Sequence, residues 1–145
     1  LTSNGTTASW AAPGAGLAGG QSAQATITGA ISTASGTLVA ATGLTVTITT
    51  TGGSVLIWFS GTIYGTTNDT AYLTIYKDGV NVGGTAGLQQ VQLPNTGGHA
   101  VSVVWRDAPT AASHTYAIYW YSNTPTTINL TGNPNSTIAV LELPS

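Results

Sequence analysis

Few side chains in this sequence of 145 residues could carry acid–base chemistry. The carboxylates and imidazoles are those of Asp69, Asp78, Asp107, Glu142, His99 and His114. Hydrolysis of a glycan requires two carboxylates that face one cleft at a defined separation. Asp78 is already explained by a tight turn with Gly79, because glycine adopts positive φ at no steric cost. Glu142 falls in the last apolar segment, where we expect it to pair with Arg106 or to be exposed at a strand end.

Other catalytic signatures are missing or out of context. Neither histidine has a ligand at the spacing of a metal site, and no GxSxG nucleophile elbow occurs. The GxGxxG at residues 14–19 follows only linker-like sequence, whereas a dinucleotide site needs a strand before it and a helix after it. The chain has no Cys, which excludes thiolate chemistry and Cys-ligated metals. We therefore predict a protein that is not an enzyme, with no catalytic residues, no metal and no cofactor.

The low charge of the chain excludes two classes of partner. Only 4% of the residues are charged and the formal net charge is -2, against about 25% charged residues in ordinary soluble domains. The two basic residues, Lys77 and Arg106, cannot neutralise a phosphate backbone or hold an anionic membrane surface. The longest apolar run, VLIWF at 55–59, is too short to cross a bilayer. We expect neither nucleic-acid binding nor membrane insertion.

Alternating apolar and polar residues predict strands from residue 25 onward. In LTVTITT (44–50), Leu44, Val46 and Ile48 alternate with threonines, which is typical of a strand with one buried face. Further strands are predicted at 25–32, 37–41, 54–61, 71–76, 88–93, 100–105, 114–122 and 137–143. No segment predicts a helix, and Gly, Asn or Pro clusters separate the strands. This pattern indicates an all-β fold, an antiparallel sandwich or jelly roll.

Three of these strands, at 54–61, 114–122 and 137–143, are apolar on both faces. One face can fill the core, and the apolar side chains on the other face must also be shielded from water. The favoured interpretation is that a second copy of the chain packs against this face. The alternative is that loops of the same monomer pack against it. The residues assigned to this subunit interface are Trp58, Phe59, Tyr119, Tyr121 and Leu141.

The start of the chain has the composition of a linker. Residues 1–20 carry no charge and no sustained period, and they are rich in Gly, Ala, Ser and Thr. Because the chain contains no Met, we expect Leu1 to be a cut or processed end of a longer protein. We assign 1–24 to a neck or linker and 25–145 to a head domain.

Four segments resemble bacteriophage tail-fibre and related virion proteins. They are LTSNGTTASWAAPGAG (1–16), AYLTIYKDGVNVGG (71–84), APTAASHTYAIYWYS (108–122) and TIAVLELPS (137–145). The head domains of such proteins are similar in architecture to the trimeric jelly rolls of the tumour-necrosis-factor and complement-head type. The resemblance implies a homotrimeric jelly-roll head on a virion fibre or spike, joined through its neck to an upstream virion segment. It also implies synthesis in the host cytoplasm and a final place on the particle surface.

Recognition without charge is the function that remains. Glycan binding commonly combines an aromatic face with amide and hydroxyl hydrogen bonds, and sandwich loops present such residues on a rigid scaffold. For Tyr72, Trp105 and Tyr121, packing in the core or in a subunit interface is favoured over ligand contact, because aromatic residues dominate buried interfaces. Asn68 and Asp69 are expected to be exposed. The predicted receptor-binding residues are Tyr64, Asn68, Asp69, Tyr72, Arg106, Asp107, Tyr121 and Asn123.

The predicted function is therefore non-enzymatic binding of a host surface receptor, such as a glycan, by a virion fibre head. Two alternatives stay open. One is a capsid decoration or head-fibre structural protein, and the other is a secreted lectin-like sugar-binding module.

Overall fold

The domain is a sandwich of two antiparallel sheets. A computed structural model describes residues 21–94, 97–132 and 134–144. Sheet A contains β1 (Ser22–Ile27), β2 (Ile31–Thr33), β4 (Val55–Gly65), β8 (Gly98–Asp107), β10 (Ile128–Leu130) and β11 (Ser136–Glu142). Sheet B contains β3 (Val39–Thr49), β5 (Asp69–Lys77), β6 (Val80–Asn81), β7 (Gln89–Leu93) and β9 (Ser113–Ser122). The described part of the chain contains no helix, and so none that could cross a membrane.

The strand order is that of a jelly roll. In sheet A, β10 and β11 share one edge of β4 while β8 occupies the other, and β2 and β1 pair outside β10 and β11. In sheet B, β9 lies between β3 and β5, and β6 and β7 share the far edge of β5. The pairs β1 and β2, β10 and β11, and β6 and β7 each occupy a single strand position. Each sheet therefore has four strand positions, which gives the eight that a jelly roll requires. The predicted all-β antiparallel jelly-roll sandwich is confirmed.

The core is built from the alternating residues that predicted the strands. In β3, Leu44, Val46 and Ile48 are buried while the intervening threonines are exposed. In β4, Val55, Ile57 and Phe59 all point between the sheets and have no exposed surface. The assignment of Phe59 to a subunit interface is therefore wrong, because strand alternation turns its ring into the core.

Several strand boundaries differ from the predicted ones. The predicted strand at 25–32 is two strands, β1 and β2, and β1 begins at Ser22 inside the predicted neck. The backbone at Thr28 passes so close to Gly132 that any side chain at residue 132 would collide with it. The segments at 37–41 and 44–50 form one strand, β3, with a register shift between Ala40 and Thr45. The short strands β6 and β10 had no predicted counterpart. Residues 1–20 of the predicted neck lie outside the described residues.

The predicted turn at Asp78 and Gly79 is confirmed. Both residues have positive φ, at 50° and 83°, and they connect β5 to β6. Positive φ at both central residues matches the right-handed twist of the flanking strands, which explains why an Asp-Gly pair occupies this hairpin.

Candidate recognition surface

The predicted receptor residues separate into three places. At one end of the sandwich, Asn68, Asp69 and Asn123 lie in or beside the β4–β5 and β9–β10 loops. Tyr72 and Tyr121 follow them on the outer face of sheet B, whereas Tyr64 lies on the outer face of sheet A with its ring over Gly98. Arg106 and Asp107 lie at the opposite end, since Asp107 pairs with the first residue of β4. The structure therefore brings together five of the eight residues.

Four tyrosines dominate the outer face of sheet B, and we call this set the tyrosine face. Tyr72 of β5 is directly opposite Tyr121 of β9, and their rings stack with centroids 4.5 Å apart and planes 8° apart. Tyr76 and Tyr119 are diagonal neighbours on the same two strands, with centroids 3.7 Å apart and planes 15° apart. All four side chains are half-buried. Each of the four side chains therefore keeps part of its surface accessible for contact.

Polar side chains continue the tyrosine face toward the β9–β10 loop. Gln90 of β7 is the partner of Tyr72 in the ladder, on the side away from Tyr121. One row further, the Gln92 amide donates to the Thr70 hydroxyl at 3.0 Å, and the Asn123 N–H donates to the Thr70 carbonyl at 2.9 Å. Gln90 and Asn123 are exposed. Amides and hydroxyls therefore border the first aromatic stack.

Asp69 fixes the loop beside this stack, and it is buried rather than exposed as expected. Its side chain retains only 7% of its accessible surface. One carboxylate oxygen accepts hydrogen bonds from the N–H groups of Thr70 and Thr124, at 2.6 and 3.0 Å. The other accepts a short hydrogen bond from the Ser122 hydroxyl and one of 2.8 Å from the Thr126 hydroxyl. Asp69 thereby ties the start of β5 to residues 122–126.

Two pKa shifts reflect this arrangement. Burial alone would raise the pKa of Asp69, but the hydrogen bonds from Ser122, Thr124 and their neighbours outweigh it, so the pKa lies below the ordinary value of 3.8. Burial, helped by the adjacent Tyr72, raises the pKa of Tyr121 above its ordinary value of 10.0. Asp69 is therefore ionised, and Tyr121 is uncharged, at neutral pH.

The charged residues at the opposite end join the two sheets. Lys77 of sheet B forms an ion pair of 2.6 Å with Asp107 of sheet A. Asp107 also accepts a hydrogen bond of 2.8 Å from the Tyr116 hydroxyl. Asp78 contacts the His114 ring at 2.7 Å, and both ring nitrogens of His114 face oxygen atoms. These contacts place Asp107 in an inter-sheet network and not on a recognition surface.

Glu142 is buried at this same end, which corrects the expectation that it would be exposed or paired with Arg106. Its Oε1 accepts hydrogen bonds from the Thr51 N–H, the Thr51 hydroxyl and the Gly53 N–H at 2.7 to 3.0 Å. Its Oε2 is buried and has no hydrogen-bond partner among the described residues. Arg106 donates instead to the Ser54 hydroxyl at 2.7 Å. Burial opposes ionisation, but the N–H and hydroxyl donors of the β3–β4 loop lower the pKa of Glu142 overall.

All four carboxylates of the chain therefore have structural partners. In the described ranges, no group of three or more His, Cys, Asp or Glu side chains could hold a metal ion.

The outer face of sheet A carries a second aromatic surface, which we call the tryptophan face. Trp58 is 37% exposed and its ladder partner Val104 is 66% exposed. Leu56 and Leu141 are paired one row away, and both are half-buried. A hollow of about 300 Å³ lies beside the indole, over the small side chain of its other neighbour, Ala139. The proposed interface set is thus divided, with Trp58 and Leu141 on this face and the two tyrosines on the other.

Sequence reasoning grouped Tyr119 with Tyr121, as part of a subunit interface, but missed Tyr76 as a member of the same surface. The available signal was spacing, because residues two or four apart in a strand share a face. The pairing of β5 with β9 could not be read from that spacing.

Comparison with known proteins shows distant likenesses in structure. No protein-family model matches the chain, and no curated protein matches it in sequence. One similar structure is the C-terminal domain of EclA, a sugar-binding protein, with a TM-score of 0.44 and 14% identity over 70% of this chain and 73% of that chain. Another is a chain from the Bacillus endospore appendages, a family of disulfide-linked pili, with a TM-score of 0.43 and 15% identity over 97% of this chain and 100% of that chain. Likenesses this distant bear on neither ligand nor partner.

Proposed function

We propose that this domain is a non-enzymatic adhesion head that binds an uncharged glycan through the tyrosine face. The observation that carries the proposal is the pair of tyrosine stacks, which lie on one outer face, with exposed amides at the border of the first stack. In the context that the sequence resemblance implies, the domain is the terminal head of a virion fibre or spike, and the glycan belongs to the host surface.

The chemistry of the tyrosine face suits a neutral sugar. Tyrosine combines an apolar ring, which can cover the C–H side of a sugar ring, with a hydroxyl that can accept and donate hydrogen bonds. Gln90 and Asn123 add amides that both donate and accept. Two carboxylates flank the face: Asp69, beside the first stack, is buried and accepts four hydrogen bonds, and Asp78, two residues beyond Tyr76, is engaged by His114 and the Thr115 N–H. The face therefore offers no cation that would favour an acidic glycan.

The disposition of the carboxylates supports binding without hydrolysis. A glycosidase needs two carboxylates across one cleft. In this domain Asp69 lies at one end and Asp78, Asp107 and Glu142 lie at the other, each engaged by hydrogen bonds. None of them is on the tyrosine face.

A glycan array with matched variants tests this proposal. The variant Y72T/Y121T removes the first stack and keeps a residue type that favours strands. We expect its affinity for the best neutral glycan to fall by about fivefold, since one stacking contact contributes on the order of 1 kcal/mol. The control Y64T removes a tyrosine from sheet A and should bind like the wild type. Binding that survives Y72T/Y121T, or no binding to any neutral glycan, would contradict the proposal.

Self-association through the tryptophan face is the second part of the proposal. Exposed Trp58 and Val104 are adjacent on a face without charge except Arg106 at its margin, and such a patch favours burial against another chain. We propose a homotrimer in which this face is internal and three tyrosine faces point outward, so that weak sites gain avidity. Light scattering after size exclusion should give the mass of three chains, and W58S/V104S should give the mass of one. A wild-type monomer at all concentrations would refute the trimer.

A structural role in coating a capsid is the alternative that the tryptophan face would also serve. Immunogold labelling of intact particles separates the two, because adhesion requires label at the fibre tips and decoration requires label over the capsid. Glycan binding by a domain found on no particle would favour a secreted lectin-like module.

A further inference from the structure

Resting on the proposed function, we infer that the ligand is an uncharged oligosaccharide of at least three rings that lies along β5 and contacts both tyrosine stacks. The same strands carry both stacks, so a single extended ligand can reach them without any change in the fold.

The spacing of the two stacks sets the length of the ligand. Tyr72 and Tyr76 are four residues apart on β5, which corresponds to about 13 Å along the strand. Tyr119 is opposite Thr74, midway between them, so the centres of the two stacks are about 10 Å apart. One sugar ring cannot span this distance. A short chain that follows the strand direction can place one ring on each stack.

The strand between the two stacks is held in place by hydrogen bonds. Thr74 is fully buried, and its hydroxyl donates to Asn81 Oδ1 at 2.7 Å. The Asn81 amide also donates to the Gly84 carbonyl at 2.6 Å and accepts from the Gly83 N–H at 2.9 Å. Asn81 is the ladder partner of Tyr76. Its hydrogen bonds thus hold the β6–β7 connection at the border of the second stack. Both the oxygen and the NH₂ group of its side-chain amide already have hydrogen-bond partners within the domain.

The two stacks are therefore unequal. The first stack, Tyr72 and Tyr121, is bordered by the exposed amides of Gln90 and Asn123. At the second stack the neighbouring amide, Asn81, is already engaged. We expect the first stack to select and orient the ligand through directional hydrogen bonds, and the second to add ring contact once the chain is long enough.

A chain-length series on the wild type is the first test. The probes are neutral α- and β-glucan, galactan, mannan and rhamnan oligosaccharides, from single sugars to hexasaccharides, titrated by isothermal calorimetry. For the sugar that binds, affinity should rise by about fivefold between the disaccharide and the tetrasaccharide and then level off, as one additional stacking contact would produce. Equal affinity for a monosaccharide and a tetrasaccharide would overturn the extended site while leaving glycan binding intact.

Variants of the second stack provide the second test. Y76T/Y119T should bind the disaccharide as tightly as the wild type does and should lose the gain seen with the tetrasaccharide. Y72T/Y121T should weaken binding at every length. Y76T alone serves if the double variant fails to fold, and urea unfolding confirms the fold of each variant. A full chain-length gain in Y76T/Y119T would overturn the inference, whereas failure of the wild type to bind any probe would overturn the proposed function itself.

Discussion

Replacement of Asp69 by asparagine should weaken both the fold and glycan recognition. The asparagine carbonyl can still accept from the N–H groups of Thr70 and Thr124, but its NH₂ group would face the hydroxyls of Ser122 and Thr126. Two hydrogen bonds to a charged acceptor are lost. Such bonds contribute about 1.5–3 kcal/mol each and are not additive, so we expect a loss of about 2–4 kcal/mol in the free energy of unfolding.

The consequence for binding follows from the place of the loop. Residues 122–126 run directly on from Tyr121, and Asn123 lies at the border of the first stack. When the Asp69 anchor weakens, the loop samples other conformations and the bound geometry must be ordered at the expense of affinity. We expect a several-fold loss of glycan affinity measured well below the melting temperature.

The assays are urea unfolding, thermal melting and calorimetric titration with the best neutral glycan. A loss of 2–4 kcal/mol corresponds to a fall of roughly 10 °C in Tm for a chain of this size. Asp78→Asn is the matched control, because it removes a carboxylate that accepts from His114 and the Thr115 N–H at the other end of the sandwich. That variant should lose stability and keep its glycan affinity. An unchanged Tm for Asp69→Asn, or equal loss of affinity in both variants, would refute the reasoning.

Three further outcomes follow from the hydrogen-bonded charged groups and from the core. Because the pKa values of Asp69, Asp78 and Glu142 are lowered by the fold, their stabilising effect is present above the ordinary values of 3.8 to 4.5 and is lost as the pH falls through the lowered values. The urea midpoint should be flat from pH 7 to about pH 5 and should fall below about pH 4; a midpoint unchanged at pH 2 would contradict this. Lys77→Met should lower the free energy of unfolding by about 1–2 kcal/mol, because it removes the inter-sheet ion pair with Asp107. It should have no effect on glycan affinity. Phe59→Ala should lower the free energy of unfolding by about 3–5 kcal/mol and leave the oligomeric mass of the folded fraction unchanged. A change of mass with little loss of stability would instead indicate that Phe59 lies in a subunit interface.

The sheet architecture could be predicted because burial in a strand repeats every two residues. In β3, the apolar residues Val46 and Ile48 and the threonines between them carry the whole signal locally. The strand β10 could not be found in this way, since its three residues are held by pairing with β2 and β4, which are distant in sequence. The same alternation in VLIWF separates Trp58 from Phe59, so the error over Phe59 came from grouping adjacent residues that must face opposite sides.

The environments of Asp69 and Glu142 could not be predicted. One of the hydroxyls that donate to Asp69 belongs to Ser122, which is 53 residues away in sequence. The groups that donate to Glu142 include the N–H of Thr51, which is 91 residues away. In a chain so rich in Thr and Ser, the sequence contains many potential donors for each carboxylate. Only the register of the strands decides which of them are close. Sequence reasoning named Tyr72 and Tyr121 individually, and the stacking of one on the other follows from the pairing of β5 with β9.

The most direct test of the account is an amide chemical-shift titration of the labelled domain with the neutral oligosaccharide that binds best. Amide signals of the outward-facing positions of β5 and β9, from Tyr72 to Tyr76 and from Tyr119 to Asn123, should shift in a saturable way. Signals around Trp58 and Val104 should remain in place. Shifts centred on the tryptophan face, or none at any concentration, would contradict the claim that the tyrosine face is the glycan-binding surface.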